Sequence, residues 1–129
     1  LQAELSELTL CRRAREAGVA DGTDPARVVD AAAAGHPVAV RLLLERARMT
    51  GRAVRLLTDV LNPESVVVTE IGVVHRPDCL AALRAELDEE RAATVAPTSF
   101  PDSVLAVAGG SVVLDVLYRD PLSVSPELN

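Results

Sequence analysis

The stretch LNPESVVVTEIGVV, Leu61–Val74, places polar side chains and a glycine directly after an apolar run. Its valines, Val66–Val68, predict a strand buried on both faces, because the run does not alternate with polar residues. Thr69, Glu70 and Gly72 follow that strand. Many nucleotide-binding sites begin with a strand and a glycine turn. This stretch is therefore the first candidate for a binding site.

The other reactive side chains do not form a recognisable catalytic set. His36 has no acid or thiol fixed nearby by spacing, which favours a capping or surface role at a helix junction. His75 lies in the segment after the first strand, where ligands of α/β proteins bind, so a ligand or subunit contact stays open beside a surface position. Thr98 and Ser99 lack a nucleophile-elbow pattern. We predict no catalytic residue.

The cysteines predict neither a metal site nor a disulfide. Cys11 and Cys79 lie far apart, and neither belongs to a CxxC motif. Such spacing favours buried free thiols. We expect no metal ligand and no cofactor within this chain.

Charge and composition argue against contact with nucleic acid. The formal net charge is -6, whereas binding to phosphates requires a concentrated basic face. One Phe, one Tyr and no Trp leave almost nothing for bases to stack on. We expect no direct nucleic-acid contact by this chain.

Length and hydropathy predict one cytoplasmic domain. The 129 residues are 49% hydrophobic, enough for one core, and include no apolar run of membrane-spanning length. The chain begins at Leu1 without Met, inside a helical pattern, which predicts a piece of a longer protein. We divide it into a subdomain of residues 1–120 and a flexible tail of residues 121–129, since the tail carries two prolines.

Start and stop signals predict five helices and two short strands. The first helix ends at Gly18, the second runs from Pro25 to Gly35 with its cap at Thr23 or Asp24, and the third runs from Pro37 to Leu61. A strand at SVVV and a loop at IGVVHR follow, and then a helix from Pro77 with Leu80, Leu83 and Leu87 inward. The last two elements are a strand within ATVAPTSF and a helix over SVLAVAGGSVVLDVLYR, which contains a Gly109-Gly110 pair. The acidic run Asp88–Glu90 is interpreted as the solvated end of the helix from Pro77, where negative charge is unfavourable to the helix dipole.

The long third helix has two contrasting faces. Its charged stripe is either an anion-binding surface or, as the intervening acids favour, a solvated face; it comprises Arg41, Glu45, Arg48, Arg52, Arg55 and Asp59. The opposite stripe predicts burial of Val40, Leu44, Ala47, Gly51, Val54 and Leu61.

The order of elements predicts an α/β fold with a short parallel sheet. A helix between two strands favours a crossover that makes the strands parallel. A parallel strand needs neighbours on each side, so we expect the sheet to continue in other sequence or in another chain.

Several sequence segments, taken together, resemble the C-terminal half of ROK-family proteins. They are LQAELSELTLCRRAREAGV, RLLTDVLNPESVVVTE, CLAALRAEL and SVLAVAGGSVVLDVLYRDPL, which cover nearly all of the chain. That family comprises bacterial sugar kinases and sugar-responsive transcription regulators. The resemblance implies a helix-rich part of an actin-like (ASKHA) ATPase-type domain. It also implies that the zinc motif, the sugar-binding histidine motif, the phosphate loop and a DNA-reading winged helix would precede Leu1.

The resemblance carries one family site into this chain, and the sequence departs from it. Kinases of the family usually place two or three glycines after the strand that matches Val66–Val68. Here the matching residues are Thr69, Glu70, Ile71 and Gly72, so only the last is glycine. A carboxylate and a branched side chain would repel and crowd a nucleotide phosphate. We therefore interpret Thr69, Glu70 and Gly72 as positions of a degenerate nucleotide site.

This departure favours the regulator branch of the family. The resemblance then implies an effector-binding and dimerisation portion, without catalytic activity of its own, of a regulator that responds to a sugar-like effector. The sugar kinase and a ligand-free dimerisation module remain alternatives. We expect a homodimer, because the SVVV strand and the apolar helix faces lack partners within the chain.

Overall fold

The computed structural model describes residues 6–98. This part of the chain contains six helices and two strands. In order they are α1 (Glu7–Glu16), α2 (Ala26–Ala33), α3 (Pro37–Leu61), β1 (Val66–Val68), α4 (Ile71–His75), α5 (Pro77–Arg84), α6 (Glu89–Thr94) and β2 (Val95–Pro97).

Helix α3 is the element against which α1, α2, α4 and α5 pack. It begins at Pro37, whose fixed backbone angle suits the first helical position, and ends before Asn62, which adopts the left-handed conformation with φ of 44°. These are the predicted bounds. Its inward residues Leu43, Ala47 and Val54 join one hydrophobic cluster with side chains from α1, α2 and α5.

Gly51 allows α5 to lie close to α3. A Cβ at Gly51 would meet the carbonyl oxygen of Leu83 nearer than real Cβ atoms come, and would lie 3.0 Å from Cβ of Glu86. Leu83 itself is fully buried. The predicted inward position of Gly51 is therefore confirmed, and its lack of a side chain determines how closely the two helices approach.

The two strands are parallel, as the helix between them predicts. Val66 pairs with Val95 and Val68 with Pro97, and the Thr98 N–H extends the ladder by donating to the Val68 carbonyl oxygen at 3.0 Å. Val68 is buried, but Val67 is 64% exposed. The expectation of a strand buried on both faces is thus wrong for Val67, because the described helices cover only the face of the sheet that carries Val68.

The segment after β1 is a short helix rather than the predicted loop. Residues 71–75 form α4 because the Glu70 side chain caps it, accepting a hydrogen bond from the Val73 N–H at 2.8 Å. A helix of this length shows no full period of apolar residues, so the sequence pattern did not reveal it.

The acidic run Asp88–Glu90 begins a helix instead of ending one. Helix α5 stops at Arg84, and Asp88 caps α6 by accepting a hydrogen bond from the Arg91 N–H at 2.9 Å. Glu89 and Glu90 lie in the first turn, where negative charge interacts favourably with the helix dipole. The unfavourable placement inferred from the sequence was therefore an error of helix boundary.

Some predictions fall on residues outside the described range. These are the first turn of the first helix, the final helix after Pro101 with its Gly109-Gly110 pair, and the division at residue 120 between subdomain and tail. Within residues 6–98, none of the helices combines the length and apolar character needed to span a bilayer.

Candidate functional site

The three candidate residues lie in one turn between the end of β1 and the start of α4. Thr69 is exposed, the Glu70 side chain is almost fully buried, and Gly72 is buried within the first turn of the helix. A groove of about 380 Å³ runs beside this turn, and its walls are largely apolar. Its lining includes Arg46, Val54, Leu57, Val67, Thr69 and Glu70.

Glu70 uses both of its carboxylate oxygens within the protein. Oε2 accepts the Val73 N–H of α4, and Oε1 accepts a hydrogen bond from Nε of Arg46 at 2.8 Å. The Glu70 side chain is only 6% exposed. The protein's own carboxylate therefore takes the N–H that the start of α4 would otherwise offer to an anion.

Arg46 extends this contact to the start of α1. Its Nη1 donates to the carbonyl oxygen of Ser6 at 2.8 Å, and the hydroxyl of Ser6 caps α1 by accepting the Thr9 N–H. Only 9% of the Arg46 side chain is exposed. A single guanidinium on α3 thus ties together the N-terminal caps of two other helices.

Arg46 was missed by reasoning from the sequence. The charged stripe assigned to α3 omits it, because Arg46 lies one residue before the buried Ala47 and belongs to the inward side. An arginine one turn after the buried Leu42 was the available signal, since a charge at such a position requires a buried partner. The sequence did not identify Glu70 as that partner.

Gly72 is explained by packing within the turn. A Cβ at Gly72 would lie 3.1 Å from Oε2 of Glu70 and 3.4 Å from Sγ of Cys79. The glycine therefore makes room for the capping carboxylate and the thiol. Its backbone has no positive φ that would by itself require glycine.

Both cysteines are buried free thiols, as predicted. Burial and the nearby carboxylates of Asp78 and Glu70 raise the pKa of Cys79 from its ordinary 9.0 to about 11. Burial likewise raises the pKa of Cys11. Neither thiol is a reactive thiolate at neutral pH. No group of metal-binding side chains occurs among residues 6–98.

The two histidines lie apart from this turn. His36 occupies the N-cap position of α3 but makes no side-chain capping bond; its backbone N–H donates to the Ala31 carbonyl oxygen. Its Nδ1 atom is buried and has no hydrogen-bond partner among residues 6–98. His75 is exposed at the end of α4. In the described part of the chain, neither histidine forms a hydrogen bond or ion pair with an acid, a thiol or the other histidine.

The end of α3 exposes a set of large apolar side chains. This apolar patch consists of Leu56, Leu57, Val60 and Leu61, each more than half exposed, and Val67 of β1, which lines the same groove as Leu57. The predicted burial of Leu61 is therefore wrong within the described part of the chain. A group of exposed apolar side chains on adjacent turns is a candidate interaction surface.

Because Glu70 and Arg46 form a buried ion pair, we expect truncation of Glu70 to destabilise the fold strongly. Glu70→Ala removes the cap of α4 and leaves the buried guanidinium of Arg46 unpaired, so the free energy of unfolding falls by about 3–5 kcal/mol in urea titrations. The control is Glu16→Ala, which breaks the exposed pair with Arg12 (3.6 Å) and lowers the free energy of unfolding by about 0–1 kcal/mol. Equal losses from the two variants would contradict the structural role of Glu70.

Because the pKa of Cys79 is raised in the folded chain, we expect the fold to lose stability at alkaline pH. Between about pH 9 and 11 the folded chain keeps a proton that the unfolded chain releases, so the free energy of unfolding decreases as pH rises. We expect a decrease of roughly 1–3 kcal/mol from this thiol. Urea titrations across this range test it: Cys79→Ala should remove that part of the decrease, and an identical pH profile in variant and wild type would contradict it.

In a comparison with known proteins, the chain is similar in sequence to proteins named as transcriptional regulators. It is 38% identical over 119 residues, 88% of its length, to Transcriptional regulator Rv0485 of Mycobacterium tuberculosis and to Transcriptional regulator Mb0495 of Mycobacterium bovis. The chain spans about a quarter, 26%, of the length of these relatives. No family model and no solved structure matches it. By sequence, therefore, the chain is similar to part of proteins named as transcriptional regulators.

Proposed function

We propose that the chain is the C-terminal effector-binding and dimerisation portion of a ROK-type, sugar-responsive transcriptional regulator, without catalytic activity of its own. The observation that carries this proposal is that both carboxylate oxygens of Glu70 accept hydrogen bonds from the protein itself, at the turn where kinases of that family admit a nucleotide. The likeness to mycobacterial regulators over most of the chain supports the regulator branch.

The geometry of Glu70 argues against a nucleotide in this turn. A phosphate approaching the start of α4 meets a buried carboxylate, which already accepts the Val73 N–H. Moving Glu70 aside would leave Arg46 buried without its counter-ion, at a cost of several kcal/mol. The turn therefore serves stability in place of phosphate binding.

The proposed mechanism assigns this chain a structural part in effector response. As the resemblance to ROK-family regulators implies, a sugar-like effector would shift the equilibrium between open and closed arrangements and thereby reorient paired DNA-binding domains. On this proposal the zinc site and the DNA-binding module belong to other parts of the longer cytoplasmic regulator. This chain contributes helical scaffold and dimer contacts, and makes no contact with nucleic acid or membrane.

Nucleotide binding tests the regulator proposal directly. We expect isothermal titration with magnesium-ATP near neutral pH to give no saturable heat, because Glu70 and Ile71 occupy the positions where glycines would admit the nucleotide. The double variant Glu70→Gly/Ile71→Gly should not transfer phosphate from ATP to glucose, since the chain lacks the family's phosphate loop. Saturable ATP binding by the wild-type chain, or phosphoryl transfer by the variant, would support the kinase alternative.

Self-association tests the dimerisation part. We expect light scattering at micromolar concentration to give twice the chain mass, because the apolar patch at the end of α3 is left uncovered by the described residues. Val60→Glu, at a position 81% exposed, should shift the mass to that of a monomer without changing helix content. Leu8→Glu is the control, because Leu8 is an exposed apolar residue of α1 outside the patch. A wild-type monomer would refute this part.

A further inference from the structure

A second cleft, lined mostly by arginines, lies between α1 and α3. It encloses about 570 Å³ and is lined by Arg12 and Arg13 of α1, by Arg48 and Arg52 of α3, and by Thr9, Glu45 and Met49. Four guanidinium groups thus face one carboxylate. This excess of positive charge is concentrated in one place on a chain whose formal net charge is -6.

The ion pairs inside the cleft do not use all of this charge. Arg13 donates to Oε2 of Glu45 at 2.8 Å, while Arg41 lies 3.8 Å from Oε1, so both oxygens of the one acidic group in the cleft already have cationic partners. Arg52 pairs with Glu86 at 3.1 Å, and Arg12 lies 3.6 Å from Oε1 of Glu16, one turn along α1, in a pair whose two side chains are both more than half exposed. Arg48 has no acidic partner among residues 6–98.

The close placement of the arginines costs electrostatic free energy. Arg48 and Arg52 lie one helical turn apart, where like charges repel. Arg12 belongs to the facing wall, on α1. The two walls are fixed relative to each other, because Arg46 of α3 donates to the Ser6 carbonyl oxygen at the start of α1. A bound anion would remove the repulsion without a rearrangement of either helix.

We propose that this cleft binds a small phosphate-bearing anion between α1 and α3. Guanidinium groups match the geometry of phosphate oxygens and hold them by paired charge-assisted hydrogen bonds. The cleft volume falls within the range of small-molecule sites, about 300–1,000 Å³. Arg12 and Arg48 are the principal ligands, since one comes from each wall and neither donates to Glu45. The assignment does not rest on the proposed regulatory function.

The test is calorimetric titration of the full chain with inorganic phosphate at low ionic strength and pH 7.5. We expect saturable binding with a Kd on the order of 1 mM or tighter. Arg12→Gln/Arg48→Gln should weaken it by about tenfold or more, since one charge-assisted contact is lost from each wall. All these side chains are exposed, and circular dichroism verifies that the variants fold.

A control with the same change of charge is available. Arg15→Gln/Arg55→Gln also removes one arginine from α1 and one from α3, but neither residue lines the cleft. This variant should change the Kd less than about twofold if binding is local. No saturable binding by the wild type, or equal weakening by the two double variants, would overturn the site.

A phosphate monoester distinguishes the possible sources of the anion. Tighter binding of glycerol 3-phosphate than of inorganic phosphate would identify a phosphorylated metabolite as the ligand, whereas equal binding would identify free phosphate; both results retain the site. Duplex DNA that binds more tightly than either, with the same loss in Arg12→Gln/Arg48→Gln, would overturn the small-anion assignment in favour of a nucleic-acid surface.

Discussion

The buried ion pair between Arg46 and Glu70 is the constraint on which the rest of this structure depends. An ion pair with both side chains under a tenth exposed is stable only when its remaining donors and acceptors are satisfied as well. Here each partner makes a second hydrogen bond, because Glu70 also caps α4 and Arg46 also donates to Ser6. Three helices that are distant in sequence are thereby fixed at one point.

That constraint also determines what the turn after β1 can do. A strand that runs into a helix start presents free N–H groups to an anion in many α/β proteins. In this chain the carboxylate of Glu70 accepts one of those N–H groups, and Gly72 leaves space for that carboxylate and for the Cys79 thiol. One residue, Glu70, thus connects the stability of the fold with the proposed loss of a nucleotide site.

The apolar patch and the arginine cleft differ in the kind of partner that each could bind. The apolar patch at the end of α3 consists of side chains that water solvates poorly, so it suits a protein partner. The arginine cleft between α1 and α3 carries charge that its own acids do not neutralise, so it suits an anion. Both surfaces lie on α3, which is long enough to pack against the core and still present side chains outward over its length.

The sequence by itself determined the elements whose signals are local. Pro37 and the Asn62-Pro63 pair set the bounds of α3, and the helix between the strands predicted a parallel pair, because these signals act through backbone angles and short connections. Only the tertiary structure decided which charges are buried. In the sequence, Arg46 and Asp88 each look like an ordinary surface charge, yet Arg46 is buried against Glu70 and Asp88 caps the start of a helix. The partner of a buried charge and the exact start of a short helix depend on contacts between distant residues or on single capping bonds, which periodicity does not encode.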